Sequence, residues 1–299
     1  MPDEANSEST AAKQHVLLAV NPDEPSMAAA RVGAALADRL GLEKELFHVA
    51  IYSRAAVLEM KAMGTGEVEL AREKAAKSLA KIHAELGDGC KETVRVGEVG
   101  DEVRAVTRAD PPFAIVVGRR PLGTLGGWLL GRVSEEIVGS VEHAVLIVPH
   151  DATPPTGLWR WVMAIDFGAE SAAALELAQT LGRDPGCEIV ALHVQEGGEG
   201  CLAKLEERVQ PLIDAGVKVR ARCETGTPLD VIPRIVEEEE ATGLIVAAHK
   251  RTGLEAVLVG SVTKGLLKSI RRPVFVAQVG VADDTGESVA EPEPAGDEA

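Results

Sequence analysis

The chain contains an internal duplication, and this repeat limits the folds available to it more than any other feature. Residues 244–278, LIVAAHKRTGLEAVLVGSVTKGLLKSIRRPVFVAQ, run in the order apolar stretch, basic loop, glycine, helix-like stretch and second apolar stretch. Residues 114–149 show the same order. A unit that recurs in one order along a chain indicates two homologous domains.

Matched positions extend the repeat over most of the chain. They pair Asn21 with Asp166, His48 with His193, Gly97 with Gly226 and Gly131 with Gly260. The second copy is the shorter one, and the residues it lacks all fall between its His-Val pair and the matched glycine. A chain of 299 residues is long enough for two domains of about 140 residues, each with its own core.

Short apolar stretches alternate with helix-like stretches in both copies. The expected strands are 15–20, 46–51, 91–96, 113–117 and 144–148, then 161–165, 188–194, 217–223, 244–248 and 274–279. The expected helices are 27–40 with Ser26 as N-cap, 55–86 interrupted at 64–66, 101–109, 171–181, 202–214, 229–239 and 264–270. This alternation predicts an α/β fold: two tandem, open, parallel five-stranded sheets with helices on both faces, Rossmann-like. Ligands of such sheets bind at the carboxyl ends of the strands.

Polar segments mark the expected boundaries. We expect a disordered N-terminus (1–13), a first domain (14–150), a linker (151–157), a second domain (158–279) and a disordered acidic tail (280–299). The tail holds seven of the acidic residues and no basic one.

Composition argues against several partners and compartments. The net charge is −16, which disfavours binding to nucleic acid or to an anionic membrane. No apolar stretch approaches the length of a membrane span, and the acidic N-terminus is unlike a signal peptide. The four cysteines show no CxxC pairing, so we expect unpaired thiols, no metal site and a cytoplasmic protein.

Motifs for common catalytic chemistry do not occur. The sequence contains no GxSxG, no HExxH and no GxxxxGK[S/T] phosphate-binding loop. His48 and His193 end apolar strands and are expected to be structural. Trp159 and Trp161 are expected to pack near the linker, and 237–240 is expected to be a solvated helix end.

Two sets of loop residues carry a resemblance to a known family. The second copy has Asp166, His193-Val194 and Ala247-Ala248-His249-Lys250, followed after nine residues by Gly260-Ser261. The first has Asn21, His48-Val49 and Gly118-Arg119-Arg120-Pro121, followed after nine residues by Gly131-Arg132. Over nearly all of 14–279 this spacing resembles the universal stress protein family in tandem form, whose fold is adenine nucleotide alpha hydrolase-like.

The resemblance implies a site for an adenine nucleotide, ATP or AMP. In the family's nucleotide-binding members the motif reads Gly-x-x-Gly, nine residues, then Gly-Ser or Gly-Thr. By resemblance Val194 would contact adenine, Asp166 would lie beside the nucleoside, and 260–262 would hold phosphates. The implied positions are Asp166, Val194, Ala247, His249, Lys250, Gly260, Ser261, Val262 and Thr263 in the second copy, and Asn21, Val49, Gly118 and Gly131 in the first.

Departures from the motif make the two sites unequal. Pro121 has no N–H to donate and places a ring where the second glycine belongs. Arg132 replaces the hydroxyl residue and Asn21 the acid, so we interpret the first site as degenerate. Ala247 and Lys250 replace both glycines of the second site, but Lys250 keeps its N–H and adds a positive charge.

Two functions remain open. One is a non-enzymatic stress-response module that binds a nucleotide in its second domain or binds none. The other is a weak ATP-hydrolysing or adenylate-handling enzyme, for which the sequence offers no general base. For assembly, we expect the final strands of the two domains to pair within the chain, and a homodimer is a further possibility.

Overall fold

The computed structural model describes residues 14–21, 24–87, 89–121, 128–169, 171–195, 197, 200–248 and 260–278. The expected disorder of 1–13 and 280–299 falls outside these residues. The first half contains β1 (His15–Ala19), α1 (Glu24–Leu40), β2 (Glu43–Ile51), α2 (Arg54–Met63), α3 (Thr65–Leu86), β3 (Cys90–Gly97), α4 (Val99–Ala109), β4 (Ala114–Pro121), β5 (Trp128–Leu129), α5 (Arg132–Ser140) and β6 (Ala144–Pro149). The second half contains β7 (Trp159–Ala164), α6 (Ser171–Leu181), β8 (Cys187–Gln195), α7 (Cys201–Asp214), β9 (Val219–Thr225), α8 (Pro228–Glu238), β10 (Gly243–Ala247), α9 (Ser261–Ser269) and β11 (Val274–Ala277).

The strands of both halves form one continuous sheet. Its order is β3-β2-β1-β4-β6-β11-β10-β7-β8-β9, with the short β5 paired to β4 alone. Apart from the short β5, which is antiparallel to β4, the neighbouring strands are parallel within each half, which confirms the α/β fold predicted from the alternation. Where the halves meet, β6 and β11 run antiparallel, with Ile147 opposite Val274 and Val145 opposite Val276.

Helices cover both faces of this sheet, and each face carries equivalent helices from the two halves. One buried apolar cluster packs α1, α3, α6 and α7 on the sheet, and the other packs α4, α5, α8 and α9. Gly33 lets α1 lie close to the strands, since a Cβ there would sit 2.5 Å from Leu18 Cδ2. Among the described residues, none of the helices is long and apolar enough to cross a membrane.

Side chains from the first half also contact the second half beyond the paired strands. The Arg39 guanidinium donates from Nε to Asp184 Oδ2 at 2.5 Å and lies over the ring of Trp159, 5.0 Å from its centroid. Trp159 and Trp161 are 3% and 1% exposed, and Trp161 contacts the ring of Phe275, as expected of packing residues. These contacts make α1 part of the boundary between the halves.

Arg119 is the most buried cation described, at 1% exposure. Its NH1 donates to Leu267 O, and its NH2 donates to Ile270 O (2.5 Å) and Arg272 O (2.9 Å). Leu267 O and Ile270 O lie at the C-terminal end of α9, where helices leave acceptors without intrahelical partners, and Arg272 O lies in the segment that follows. Burial lowers the pKa of Arg119 to about 10, so its guanidinium stays charged at neutral pH.

Three local expectations are wrong. Helix α1 begins at Glu24, so Ser26 lies in its first turn, where its Oγ accepts a hydrogen bond from the Asn21 N–H instead of capping the helix. Cys201 and Cys223 form a disulfide because the first residue of α7 packs over β9, with the two Cα atoms 6.3 Å apart. Cys90 and Cys187 are buried thiols, and burial raises the pKa of Cys187 to about 12.

The third concerns one residue of the acidic end of α8, since Glu237, Glu238 and Glu240 are exposed as expected. Glu239 is buried rather than solvated, because it accepts hydrogen bonds from Arg220 NH1 (3.1 Å) and Arg222 NH1 (2.9 Å) of the neighbouring β9. Glu238 accepts from Arg222 and from Arg234 one turn earlier. Glu238 and Glu239 therefore belong to an ion-pair network at this edge of the sheet.

Candidate functional site

Each half has a cavity at the carboxyl ends of its parallel strands, which is where ligands of open α/β sheets bind. The first cavity has a volume of about 430 Å³ and the second about 260 Å³. Both are built in the same way: three strand ends form the floor, and the N-terminus of the last helix of that half, α5 or α9, forms one side.

The second cavity brings together the residues that the sequence assigned to it. Asp166, Val194, Ala247, Gly260, Ser261, Val262 and Thr263 all line it. His249 and Lys250 lie outside the described residues. Positions that are far apart in the chain meet here because β7, β8 and β10 end at the same edge of the sheet.

Helix α9 begins at this cavity with its backbone donors directed out of the helix. Gly260 is its N-cap and, having no side chain, supplies no capping hydrogen bond. The first intrahelical bond runs from Lys264 N to Gly260 O at 2.9 Å, so α9 itself gives no partner to the N–H groups of 261–263. Backbone donors at a helix N-terminus, together with the helix dipole, suit an anion such as a phosphate.

Asp166 follows β7 and holds the turn that leads into α6. Its Oδ1 accepts hydrogen bonds from the Gly168 N–H at 2.9 Å and from Ser171 Oγ at 3.1 Å. Phe167, directly after Asp166, adopts a left-handed backbone (φ 64°), and its ring contacts that of His193 at 4.3 Å between centroids with the planes tilted by 37°. The carboxylate at the cavity edge is therefore positioned by its own turn.

The two strand-end histidines are structural, as expected. His48 Nδ1 lies 2.9 Å from Val20 O, and His193 Nδ1 lies 2.6 Å from Ile165 O. Both hydrogen bonds tie the end of a second strand to the end of the first strand beside it. The rings thus hold the strand ends that form each cavity floor.

The first cavity also gathers its predicted residues. Asn21, Val49, Gly118 and Gly131 line it, together with the exposed side chains of Arg120 and Arg132. Ser134 Oγ donates to Gly118 O at 2.9 Å and so joins α5 to the end of β4.

The expected steric effect of Pro121 is not found among the described residues. Strand β4 continues through Pro121, which is exposed, opposes Trp128 of β5 and does not line the cavity. The sequence interpretation had ended this strand at residue 117. The first site therefore differs from the second mainly in Asn21 and the two arginines.

Sequence reasoning missed apolar side chains that line both cavities. Pro228, Ile232 and Leu192 line the second cavity, and Phe47, Val99 and Ile137 line the first. The periodic apolar face of the helices was the available signal, but it indicates burial in general and not which turn of a helix reaches the strand ends.

Comparison with known proteins assigns the family. Residues 13–149 and 195–278 match the model of the universal stress protein family. A universal stress protein of Mycobacterium tuberculosis is 30% identical over 227 residues, covering 67% of this chain and 70% of its own. One of Mycolicibacterium smegmatis is 28% identical over 186 residues, and the match spans 55% of this chain but only 61% of that relative's length. The crystal structure of a universal stress protein from Archaeoglobus fulgidus shares the fold, with a TM-score of 0.73 at 22% identity over 89% of this chain and 98% of its own. Because the family model matches well over half of the residues, this chain belongs to the universal stress protein family.

Proposed function

We propose that the protein is a non-enzymatic stress-response module of the cytoplasm that binds one adenine nucleotide, ATP or AMP, in the cavity of its second half. Nucleotide occupancy would be its regulatory signal. In this assignment Val194 lies at the adenine end, Asp166 beside the nucleoside, and Gly260, Ser261 and Val262 at the phosphates.

The observation that carries the proposal is the composition of the second cavity. Its lining combines the donors of the α9 N-terminus, a positioned carboxylate and apolar side chains. A nucleotide needs these three elements: donors for phosphate oxygens, an acceptor for ribose hydroxyls, and an apolar surface for the base. The positive charge of Lys250 would add to the phosphate end.

The enzymatic alternative finds less support. Hydrolysis of ATP requires a group that orients or deprotonates the attacking water near the γ-phosphate. Asp166 is the acidic side chain among the described residues that line the second cavity, and its Oδ1 already accepts two hydrogen bonds from the turn. We therefore favour binding without turnover.

Titration calorimetry of the full chain with ATP and with AMP tests both parts of the proposal. We expect one site per chain for wild type and loss of binding for Ser261→Arg, which fills the phosphate end of the second cavity. Arg132→Ser, at the matched position of the first half, is the control and should keep one site. Two equal sites, or unchanged binding by Ser261→Arg, would contradict the assignment, and release of phosphate during the titration would favour the enzyme.

We also propose how the molecule is organised in solution. Domain boundaries at 14–150 and 158–279, with a linker at 151–157, place one cavity in each domain. The antiparallel pairing of β6 with β11 would hold the two domains together as a pseudo-twofold pair, leaving β3 and β9 as the outer edges of the sheet. Light scattering distinguishes a single chain of 31.4 kDa from a homodimer.

A further inference from the structure

We propose a binding site for a divalent transition metal, with Zn²⁺ as its test ion, formed by His15, Glu45 and Asp110. His15 is the first residue of β1, Glu45 lies near the start of β2, and Asp110 follows the last residue of α4. The cluster is thus at the amino ends of the strands, the opposite edge of the sheet from both cavities.

The three side chains are close enough to share an ion. His15 Nε2 lies 3.8 Å from Glu45 Oε2, and His15 Nδ1 lies 3.9 Å from Asp110 Oδ1. These two distances involve different nitrogens of the imidazole, and an ion takes one of them; with a single atom from each residue, all three ligand atoms still lie within 4.8 Å of one another. Ligands about 2.0–2.2 Å from a tetrahedral zinc are about 3.4 Å apart, so modest closure is needed. The Asp110 side chain is 54% exposed and can supply that movement.

The buried imidazole of His15 gives the strongest indication that a ligand binds here. Its side chain is 5% exposed, and within the part of the chain that the structure describes its Nε2 has no hydrogen-bond partner. The distance of 3.8 Å to Glu45 is too long for a hydrogen bond. A buried polar atom normally has a partner, and a metal held between Nε2 and the carboxylate would provide one.

The charges around the cluster also favour a cation. Glu45, at 4% side-chain exposure, is a buried carboxylate, and Asp110 lies at the C-terminal end of α4, the negative end of the helix dipole. The Lys91 ammonium, 2.9 Å from Glu45 Oε2, is the competing cation. Since the Lys91 side chain is 63% exposed, it can leave the carboxylate to an incoming ion.

The ligand types select the class of metal. One imidazole with two carboxylates suits Zn²⁺ or a neighbouring transition metal, whereas Ca²⁺ and Mg²⁺ prefer oxygen ligands alone. Three protein ligands leave the fourth tetrahedral position to water on the exposed side of Asp110.

Competition of the full-length, disulfide-intact protein with a chromogenic chelator for Zn²⁺ tests the site. We expect one ion per chain, with affinity lowered at least about tenfold in Asp110→Asn and in His15→Gln, since even outer-shell changes cost about 10–100-fold. Lys91→Met should bind more tightly because the competing ammonium is gone. His83→Gln is the matched control, since His83 Nδ1 pairs with Glu92 Oε2 at 3.0 Å outside the cluster, and it should bind like wild type.

Co²⁺ substitution identifies the ligand atoms independently. Visible d–d bands without intense thiolate charge-transfer absorption are expected for nitrogen and oxygen ligands, and thiolate bands would overturn the proposal. Unchanged Zn²⁺ affinity in Asp110→Asn would also overturn it. This exposed substitution and Lys91→Met keep the test decisive even if the buried His15→Gln variant fails to fold.

Discussion

The two cavities of this protein share a backbone and differ in the side chains placed on it. In both, a strand-end histidine holds the floor, a glycine precedes the last helix, and that helix begins without a side-chain cap. At the N-terminus of that helix, however, Arg132 stands in the first half where Ser261 stands in the second. The two halves therefore share the features that build the cavity and differ at positions where we propose ligand contacts.

The turn after the first strand of each half also combines a shared contact with a residue that differs. In the second half Ser171 donates to the carboxylate of Asp166. In the first half the matched Ser26 accepts from the backbone N–H of Asn21. Each serine ties the start of the first helix to the end of the first strand, and among the described residues that line the two cavities the carboxylate belongs to the second half.

The two halves also contribute different hydrogen bonds to the boundary between them. Arg119 donates to three carbonyls at or just after the end of α9, whereas the matched position in the second half is Ala248, which is buried and has no such donor. The end of α5 is contacted instead by Gln278, whose Nε2 donates to Val138 O at 3.2 Å. The first half therefore stabilises the last helix of the second half with a charge, and receives a neutral hydrogen bond in return.

Removing the Arg119 guanidinium should have the largest effect on stability. Arg119→Met leaves three carbonyl acceptors without their donor, at roughly 1 kcal/mol each, so we expect a loss of about 3 kcal/mol in the free energy of unfolding. Denaturant unfolding monitored by circular dichroism measures it. Arg120→Met, the exposed neighbour, is the control and should change stability little; equal losses in the two variants would show that the capping contacts do not matter.

Charge reversal in the second site should have the largest effect on binding. In the proposed assignment Lys250→Glu replaces the cation that the motif would bring to the phosphates with a repelling charge, and a charge-assisted hydrogen bond alone is worth about 1.5–3 kcal/mol, or roughly tenfold to hundredfold in affinity. Calorimetric titration with ATP measures the change. Arg132→Glu reverses a charge at the other cavity and should leave the binding unaltered. Similar losses of ATP affinity in the two variants would contradict the inference that nucleotide binds in the second cavity and not in the first.

Acid should weaken the ion-pair network beside β9. Hydrogen bonds from Arg220, then from Arg222, hold the pKa of Glu239 below its ordinary value of 4.5. A carboxylate with a lowered pKa stabilises the fold above 4.5 and loses that contribution as the pH falls through the lowered value. We expect Glu239→Gln to cost about 1 kcal/mol at pH 7 and less near pH 3. Urea unfolding at both pH values measures this, and a loss independent of pH would contradict it.

The smallest effect on ATP binding is expected from Arg132→Ser, which only partly restores the motif of the first site. Arg132→Ser restores the hydroxyl of the motif, but Asn21 still supplies no carboxylate and Arg120 still lines the cavity. We therefore expect the stoichiometry of ATP binding to stay at one per chain in calorimetry. A second binding event in this single variant would show that Arg132 alone closes the first site.

The sequence predicted helix bounds correctly where apolar periodicity and helix-breaking residues indicate the same bounds. Helix α6 has the predicted bounds, and the break near Gly64 separates α2 from α3 as expected. Boundaries failed where distant contacts extend an element. Strand β4 continues to Pro121 because β5 pairs with its end, a contact that local propensity does not reveal.

The sequence by itself determined the duplication, the α/β fold and the position of both cavities, because apolar periodicity fixes which strands are buried and parallel strands end at one edge. The tertiary structure decided which distant groups meet. It paired Cys201 with Cys223, buried Glu239 against two arginines, directed Arg119 into the second half and brought His15 to Glu45 and Asp110. These contacts depend on the register between strands and on the direction of each side chain, and a one-residue shift in register would turn the strand residues among them to the other face of the sheet.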